Sequence, residues 1–132
     1  MAPTTTTSDP GITAWTPVEV AAVLDQAADH LDRVGLNKGA LYDKTQAAGT
    51  VLTDCRVCAI GALNVALHGK PAAGPGDAAF DAHVIASYVE EYLRTGAGLA
   101  DWSDKRGGNK EQVVEVFRAT AACLRASVGV AS

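Results

Sequence analysis

Two cysteines three residues apart, Cys55 and Cys58, carry the most reactive side chains in this sequence and open an apolar, helix-like pattern. Free backbone amides and the helix dipole at a helix N-terminus stabilise a thiolate, which lowers the pKa of the cysteine. Such a thiolate is a nucleophile or a redox group, with His83 or His68 as its base. The other interpretation makes both cysteines small core residues, because a buried cysteine behaves as a weak hydrophobe.

The sequence does not favour a metal site. His68 lies ten residues beyond Cys58, which corresponds to about 15 Å along one helix. The two side chains are therefore too far apart to share a zinc ion. The sequence has no second Cys-x-x-Cys pair and no pair of closely spaced histidines. We accordingly predict neither a metal ion nor any other cofactor.

Two polar residues, Asn64 and His68, interrupt the apolar pattern that follows the cysteines. Their spacing from Val57 and Gly61 places all four residues on one helix face. One interpretation is a hydrogen-bonded internal network, because buried polar groups are normally paired. The other is the edge of a polar pocket that accepts a small ligand.

A third candidate region is the loop Asp101–Arg106, which combines Trp102 with charges of both signs. In a structural role, Trp102 packs under the last helix while Asp104 bonds to loop amides. In a functional role, Trp102 is an exposed aromatic anchor with a charged rim, which is typical of a protein-binding hot spot. The predicted binding residues are thus Trp102, Asp104, Asn64 and His68.

Four helices position these residues. Thr16-Pro17-Val18-Glu19 is a capping box, and an apolar stripe with helical spacing follows it as far as Gly35. Asp54 is placed to cap a second helix, Cys55 to His68, which is apolar almost all round and so is expected to be surrounded by the others. Gly61 in its middle costs about 1 kcal/mol relative to alanine, which predicts close approach by a neighbouring backbone.

The third helix is predicted from Asp77 to about Thr95, and the last one begins at a box-like cap, Asn109 to Gln112. The buried stripe of the last helix is expected at Val114, Phe117, Ala121 and Leu124. In the irregular segment 36–53 we expect a helical turn at Gly39 to Tyr42 and an extended piece at Thr50 to Thr53.

The predicted fold is therefore all-α: a compact bundle of four main helices around a central apolar helix at about residues 54–69. The predicted organisation is a flexible Thr/Pro-rich tail at 1–13, a single helical domain at 14–128 and a short tail at 129–132.

The run Cys55-Arg56-Val57-Cys58-Ala59-Ile60-Gly61-Ala62-Leu63 resembles a family of small actinobacterial and actinophage proteins of unknown function. Two further landmarks match in order: Gly39-Ala40 after the first helix, and Trp102-Ser103-Asp104 before the last. The likeness covers roughly residues 16–126. Leu36 stands where the family commonly has Trp, Ser103 replaces Asn, and Gly107-Gly108-Asn109 replaces a Gly-Arg-Thr cap. The resemblance implies a fold and a genomic setting but no mechanism.

Composition narrows the function further. The 132 residues are 48% hydrophobic with a net charge of -4, which disfavours wholesale disorder. The chain has no basic cluster for nucleic acid and no apolar run long enough for a bilayer. With no signal-peptide pattern and an odd count of three cysteines, we expect reduced thiols in the cytoplasm.

We therefore predict a small, soluble, non-catalytic accessory module, from a phage or other mobile element, whose partner is another protein. The alternative is a cysteine-dependent enzyme or thiol-redox protein that uses Cys58 or Cys55. The sequence leaves the oligomeric state open.

Overall fold

The computed structural model describes residues 15–78, 80–106 and 109–131. Within these ranges the secondary structure is helical, without a β-strand, and the all-α prediction is confirmed. A 3₁₀ turn spans Leu52–Asp54, and a π-helical turn spans Trp102–Arg106. The helices are α1 (Pro17–Val34), α2 (Lys44–Ala47), α3 (Ala59–His68), α4 (Phe80–Leu93), α5 (Leu99–Asp101) and α6 (Lys110–Ala131).

The structure describes residues between 15 and 131, so the predicted domain boundaries at residues 14 and 128 stay predictions. The predicted tail at 1–13 lies outside the described residues. At the other end, α6 continues to Ala131, past the predicted domain boundary at residue 128. Among the described residues, no helix is both long enough and apolar enough to cross a bilayer.

The first and last helices form the most extensive helix–helix contact. The capping box of α1 is present: the Glu19 amide donates to Thr16 Oγ1 at 3.2 Å, and the Thr16 amide donates to Glu19 Oε1 at 3.0 Å. The apolar stripe predicted along α1 is confirmed as buried, except that Val34 is only half-buried. On α6, Val113, Phe117 and Ala121 are fully buried, whereas Val114 and Leu124 of the predicted stripe are only half-buried.

Ion pairs reinforce this contact along its exposed edge. Arg118 of α6 pairs with Asp29 of α1 at 2.7 Å, and Arg125 pairs with Asp25 at 2.7 Å. At the start of α6, Asn109 Oδ1 accepts a hydrogen bond from the Gln112 amide at 2.9 Å, which confirms the predicted cap.

Helix α3 begins at Ala59, four residues later than predicted, and its N-cap is Cys58 rather than Asp54. The Asp54 carboxylate instead pairs with Arg33 at 2.9 Å. Val57 precedes the helix in a short extended stretch that forms isolated bridges to Leu36 and Tyr42. These tertiary contacts hold residues 55–58 out of the helix. The shortened α3 is buried over its first six residues and packs against α1, α4 and α5.

Two predictions within the irregular segment 36–53 are also wrong. The helical turn in the irregular segment is α2 at Lys44–Ala47 rather than Gly39 to Tyr42, because Asp43 Oδ1 caps it through the Gln46 amide at 3.0 Å. The predicted extended piece at residues 50–53 includes the start of the 3₁₀ turn.

Helix α4 begins at Phe80, not after Asp77. The Asp77 carboxylate accepts a hydrogen bond from the Gly74 amide at 2.7 Å and pairs with Lys70 at 2.8 Å, so it stabilises the preceding turn.

Candidate functional site

The loop after α1 crosses α3 at Gly61. The Leu41 carbonyl oxygen accepts a hydrogen bond from the Cys58 amide at 3.2 Å. A Cβ atom on Gly61 would fall well inside van der Waals contact with that oxygen. The predicted close approach at Gly61 is thus confirmed, and the neighbouring backbone is a loop. The crossing holds Gly39 to Leu41 beside the start of α3.

A cavity of about 470 Å³ lies between this loop, α3, α4 and the α5 region. We call it the Cys58 cavity. Its wall combines buried residues such as Cys58 and Ala82 with exposed ones such as His83 and Ala100, so it opens to solvent. Its volume is within the range of small-molecule sites, about 300–1,000 Å³. It is lined by Gly39, Ala40, Leu41, Cys58, Ile60, Asn64, Ala72, Ala73, Ala82, His83, Ala100 and Asp104.

Cys58 contributes a protonated thiol to the cavity. Burial raises the pKa of this thiol above its ordinary value, and the nearby Asp104 carboxylate acts in the same direction. Backbone amides of the first turn of α3 oppose the shift, and the Gly61 amide donates to Sγ at 3.3 Å. The expected lowering of the Cys58 pKa is therefore wrong, because desolvation outweighs the helix N-terminus.

Asn64 is 95% buried and lines the same cavity. Its Nδ2 donates to the Pro71 carbonyl at 3.0 Å, which fixes the orientation of the amide. Its Oδ1 is buried and has no hydrogen-bond partner within the described part of the chain. The internal network predicted at this position is only half formed, and the unpaired half belongs to a residue of the cavity wall.

Asp104 reaches the cavity from the π-helical turn, whose first residue and preceding helix are both anchored. Trp102 is only 8% exposed and packs into the hydrophobic core. The preceding helix α5 is held to α4, because Glu90 Oε2 accepts a hydrogen bond from the Leu99 amide at 2.7 Å. Asp104 Oδ1 is buried and has no hydrogen-bond partner among the described residues, which do not include residues 107 and 108 of the same loop. π-Helical turns are rare and often occur at functional sites.

The burial of Trp102 contradicts an exposed aromatic anchor. Its ring packs in the core, which agrees with the structural interpretation. Trp102 therefore does not provide the exposed aromatic anchor that a protein-binding hot spot in this loop would need.

Two other predicted site residues lie elsewhere. Cys55 is fully buried after the 3₁₀ turn, and its Sγ lies 3.5 Å from the Val51 carbonyl oxygen. His68 is half-buried at the end of α3 and is not part of the cavity wall. The structure thus brings together four of the predicted residues, Cys58, Asn64, His83 and Asp104, and separates Cys55, His68 and Trp102 from them.

Sequence reasoning missed the apolar wall of the cavity. Leu41, Ala72, Ala73 and Ala100 come from loops or short elements, where no periodicity signals an inward-facing residue. The chain offers no metal-binding alternative in the ranges described above, since these contain no group of three or more His, Cys, Asp or Glu side chains suited to an ion. All three cysteines are free thiols, with Cys123 exposed.

Residues 15–123 match the model of DUF6197, a family of unknown function. The chain belongs to DUF6197. No curated protein and no solved structure matches the chain. The match confirms the expected membership of an unknown-function family, and it includes every residue of the Cys58 cavity.

Proposed function

We propose that this DUF6197 member is a non-catalytic binding module whose ligand enters the Cys58 cavity. The observation that carries the proposal is Asn64, a nearly fully buried amide in the cavity wall whose Oδ1 has no partner. Buried polar atoms are normally hydrogen-bonded, so an unpaired one calls for an explanation. A bound ligand that donates a hydrogen bond to Asn64 Oδ1 provides this explanation. Asp104 adds a second unpaired oxygen in the same wall.

The proposal retains part of the accessory role expected from the sequence. The ligand is either a free small molecule or a side chain that a partner protein inserts. In the second case the partner contacts the cavity mouth near His83 and Ala100, not the buried Trp102. A cytoplasmic setting in an actinobacterium or its phage, as the motif resemblance implies, belongs to the same proposal.

One observation favours the enzyme alternative: Cys58 and His83 line the same cavity. A thiol nucleophile needs a thiolate, however, and burial together with Asp104 raises the pKa of Cys58. The Gly61 amide, which donates to Sγ, opposes this rise in pKa but does not outweigh burial. These features support binding over catalysis.

A fragment screen followed by NMR tests the proposal. A set of anionic, neutral and cationic fragments is added to the ¹⁵N-labelled full chain, and amide shifts are mapped to residues. Ala100→Trp narrows the cavity from its exposed side, and Ala22→Trp, at an exposed position of α1, is the matched control.

We expect at least one fragment to shift amides around Ala40, Asn64 and Ala82 in the wild type and in Ala22→Trp, but not in Ala100→Trp. The proposal fails if no fragment shifts these amides, or if Ala100→Trp responds as the wild type does.

A further inference from the structure

We infer that the ligand of the Cys58 cavity is an organic cation, a primary ammonium group carried on an apolar body. The inference rests on the proposed function and goes beyond it by naming the chemical class of the ligand. Three properties of the cavity wall support it: its unpaired acceptors, its charge and its apolar surface.

The unpaired atoms of the wall are acceptors. The acceptor that Asn64 leaves unpaired among the described residues is its amide oxygen, because the amide nitrogen is already bound to the Pro71 carbonyl. The atom that Asp104 leaves unpaired there is Oδ1 of its carboxylate, which only accepts when the group is ionised. A ligand that satisfies both must bring donors. An ammonium group has three N–H donors and no acceptor, so it suits a wall with unpaired acceptors better than a hydroxyl, which has one donor.

The charge of the wall selects a cation. Its described residues include the Asp104 carboxylate but no lysine or arginine. A charge-assisted hydrogen bond to this carboxylate is roughly twice as strong as a neutral one. The cavity is partly shielded from water, which further strengthens such a contact.

The N-terminus of α3 would favour an anionic ligand rather than a cation, because first-turn amides attract anions. In this structure, however, the Cys58 sulfur already accepts a hydrogen bond from the Gly61 amide. The Asp104 carboxylate also acts on the Cys58 thiol from nearby, and it would repel an anion placed between them. A cation is therefore the better complement.

The rest of the wall is apolar. Leu41, Ile60, Ala73 and Ala82 present hydrocarbon to the cavity, and about 470 Å³ leaves room for more than an ammonium group. Apolar surface buried against these side chains adds to the binding free energy. The ligand accordingly combines a donor-rich charged end with an aliphatic or aromatic body.

The test compares three probes of similar shape: benzylamine, benzyl alcohol and benzoate. Their dissociation constants are measured by NMR titration of the full chain at pH 7. Asp104→Asn removes the negative charge with little change in shape. Glu115→Gln makes the same charge change at an exposed position of α6 and is the control.

We expect benzylamine to bind the wild type at least tenfold more tightly than benzyl alcohol and benzoate. Asp104→Asn should weaken benzylamine at least tenfold and change benzyl alcohol less than twofold, while Glu115→Gln leaves both unchanged. The amide spectrum of each variant confirms that it is folded. If benzyl alcohol or benzoate binds as tightly as benzylamine, or if Asp104→Asn has no effect, the ammonium inference is overturned and the binding module stands.

If none of these probes and no fragment of the screen shifts the cavity amides, the proposed function fails together with the inference. A further arm separates two sources of the same chemistry: n-butylamine represents a free amine, and N-acetyl-lysine-N-methylamide represents a lysine side chain of a partner. Binding of either supports an ammonium ligand, and the tighter of the two indicates the source.

Discussion

The carbonyl oxygen of Leu41 occupies the position where any side chain on residue 61 would have to begin. Glycine at this position therefore permits the loop to cross α3 at short range. The same crossing hydrogen-bonds the Leu41 carbonyl to the Cys58 amide and so builds one wall of the Cys58 cavity.

Gly61→Ala should destabilise the protein. Alanine is the better helix former by about 1 kcal/mol, but its methyl group would displace the Leu41 backbone. Overpacking of this kind costs about 1–3 kcal/mol, so we expect a net loss measured by urea unfolding. Gly49→Ala is the control, because a Cβ atom there meets nothing within 4 Å. A Gly61→Ala variant as stable as the wild type would contradict the close approach.

Alkylation should distinguish the three cysteines. Cys123 is exposed and should react with iodoacetamide at pH 7, whereas Cys55 is fully buried and should react only after unfolding. Cys58 should react much more slowly than Cys123, because its raised pKa keeps the thiol protonated. Mass spectrometry of tryptic peptides over time gives the rate at each site. Labelling of Cys58 at the rate of Cys123 would revive the enzyme alternative.

The raised pKa of Cys58 also predicts a loss of stability at alkaline pH. Above the ordinary thiol pKa of 9.0, the unfolded chain ionises Cys58 while the folded chain keeps the proton. Its contribution to stability is thus complete below pH 9.0 and is lost as the pH rises through the folded-state value. The free energy of unfolding should fall less steeply above pH 9 in Cys58→Ser. Parallel curves for the variant and the wild type would disprove this.

His30 predicts a loss of stability in mild acid. Burial and the neighbouring Arg33 lower its pKa below the ordinary 6.5, and its Nε2 has no hydrogen-bond partner among the residues that the structure describes. As the pH falls below 6.5, the unfolded chain takes up a proton that the folded chain resists, so folding is disfavoured.

His30→Gln should therefore lose less stability between about pH 6.5 and pH 5 than the wild type does. His83→Gln removes an exposed histidine and serves as the comparison. Equal pH dependence in His30→Gln and the wild type would show that His30 is not the titrating group.

Trp102→Ala should lower the free energy of unfolding, because the ring packs in the core and offers no surface contact to lose. Removal of a buried tryptophan leaves a large void, with an expected cost of roughly 3–5 kcal/mol in urea unfolding. Tyr92, which is 43% exposed, provides the comparison as Tyr92→Ala. If Trp102→Ala unfolds at the same urea concentration as the wild type, the ring does not hold the π-helical turn in place.

The sequence predicted elements whose signals are local. The capping box and apolar stripe of α1, and the Asn109 cap of α6, depend on residues within a few positions of one another. The start of α3 could not be predicted in this way. It depends on bridges from Val57 to Leu36 and Tyr42, which join distant parts of the chain.

The candidate site could likewise be predicted only where its signals are local. Cys58, Asn64, His83 and Asp104 were each noted for their chemistry, but their meeting around one cavity is set by tertiary packing. The sequence left two interpretations of Cys58 open, a thiolate and a core thiol, because the helix N-terminus is visible in the sequence and the burial that opposes it is not.

The main interface joins the first helix to the last, α1 to α6. During synthesis, α1 must therefore wait until α2 to α5 and α6 itself have left the ribosome before its largest partner is available. The apolar stripe of α1 stays uncovered for that interval, when chaperones and aggregation compete for it. Native folding of this domain is consequently expected to finish only after translation has passed α6.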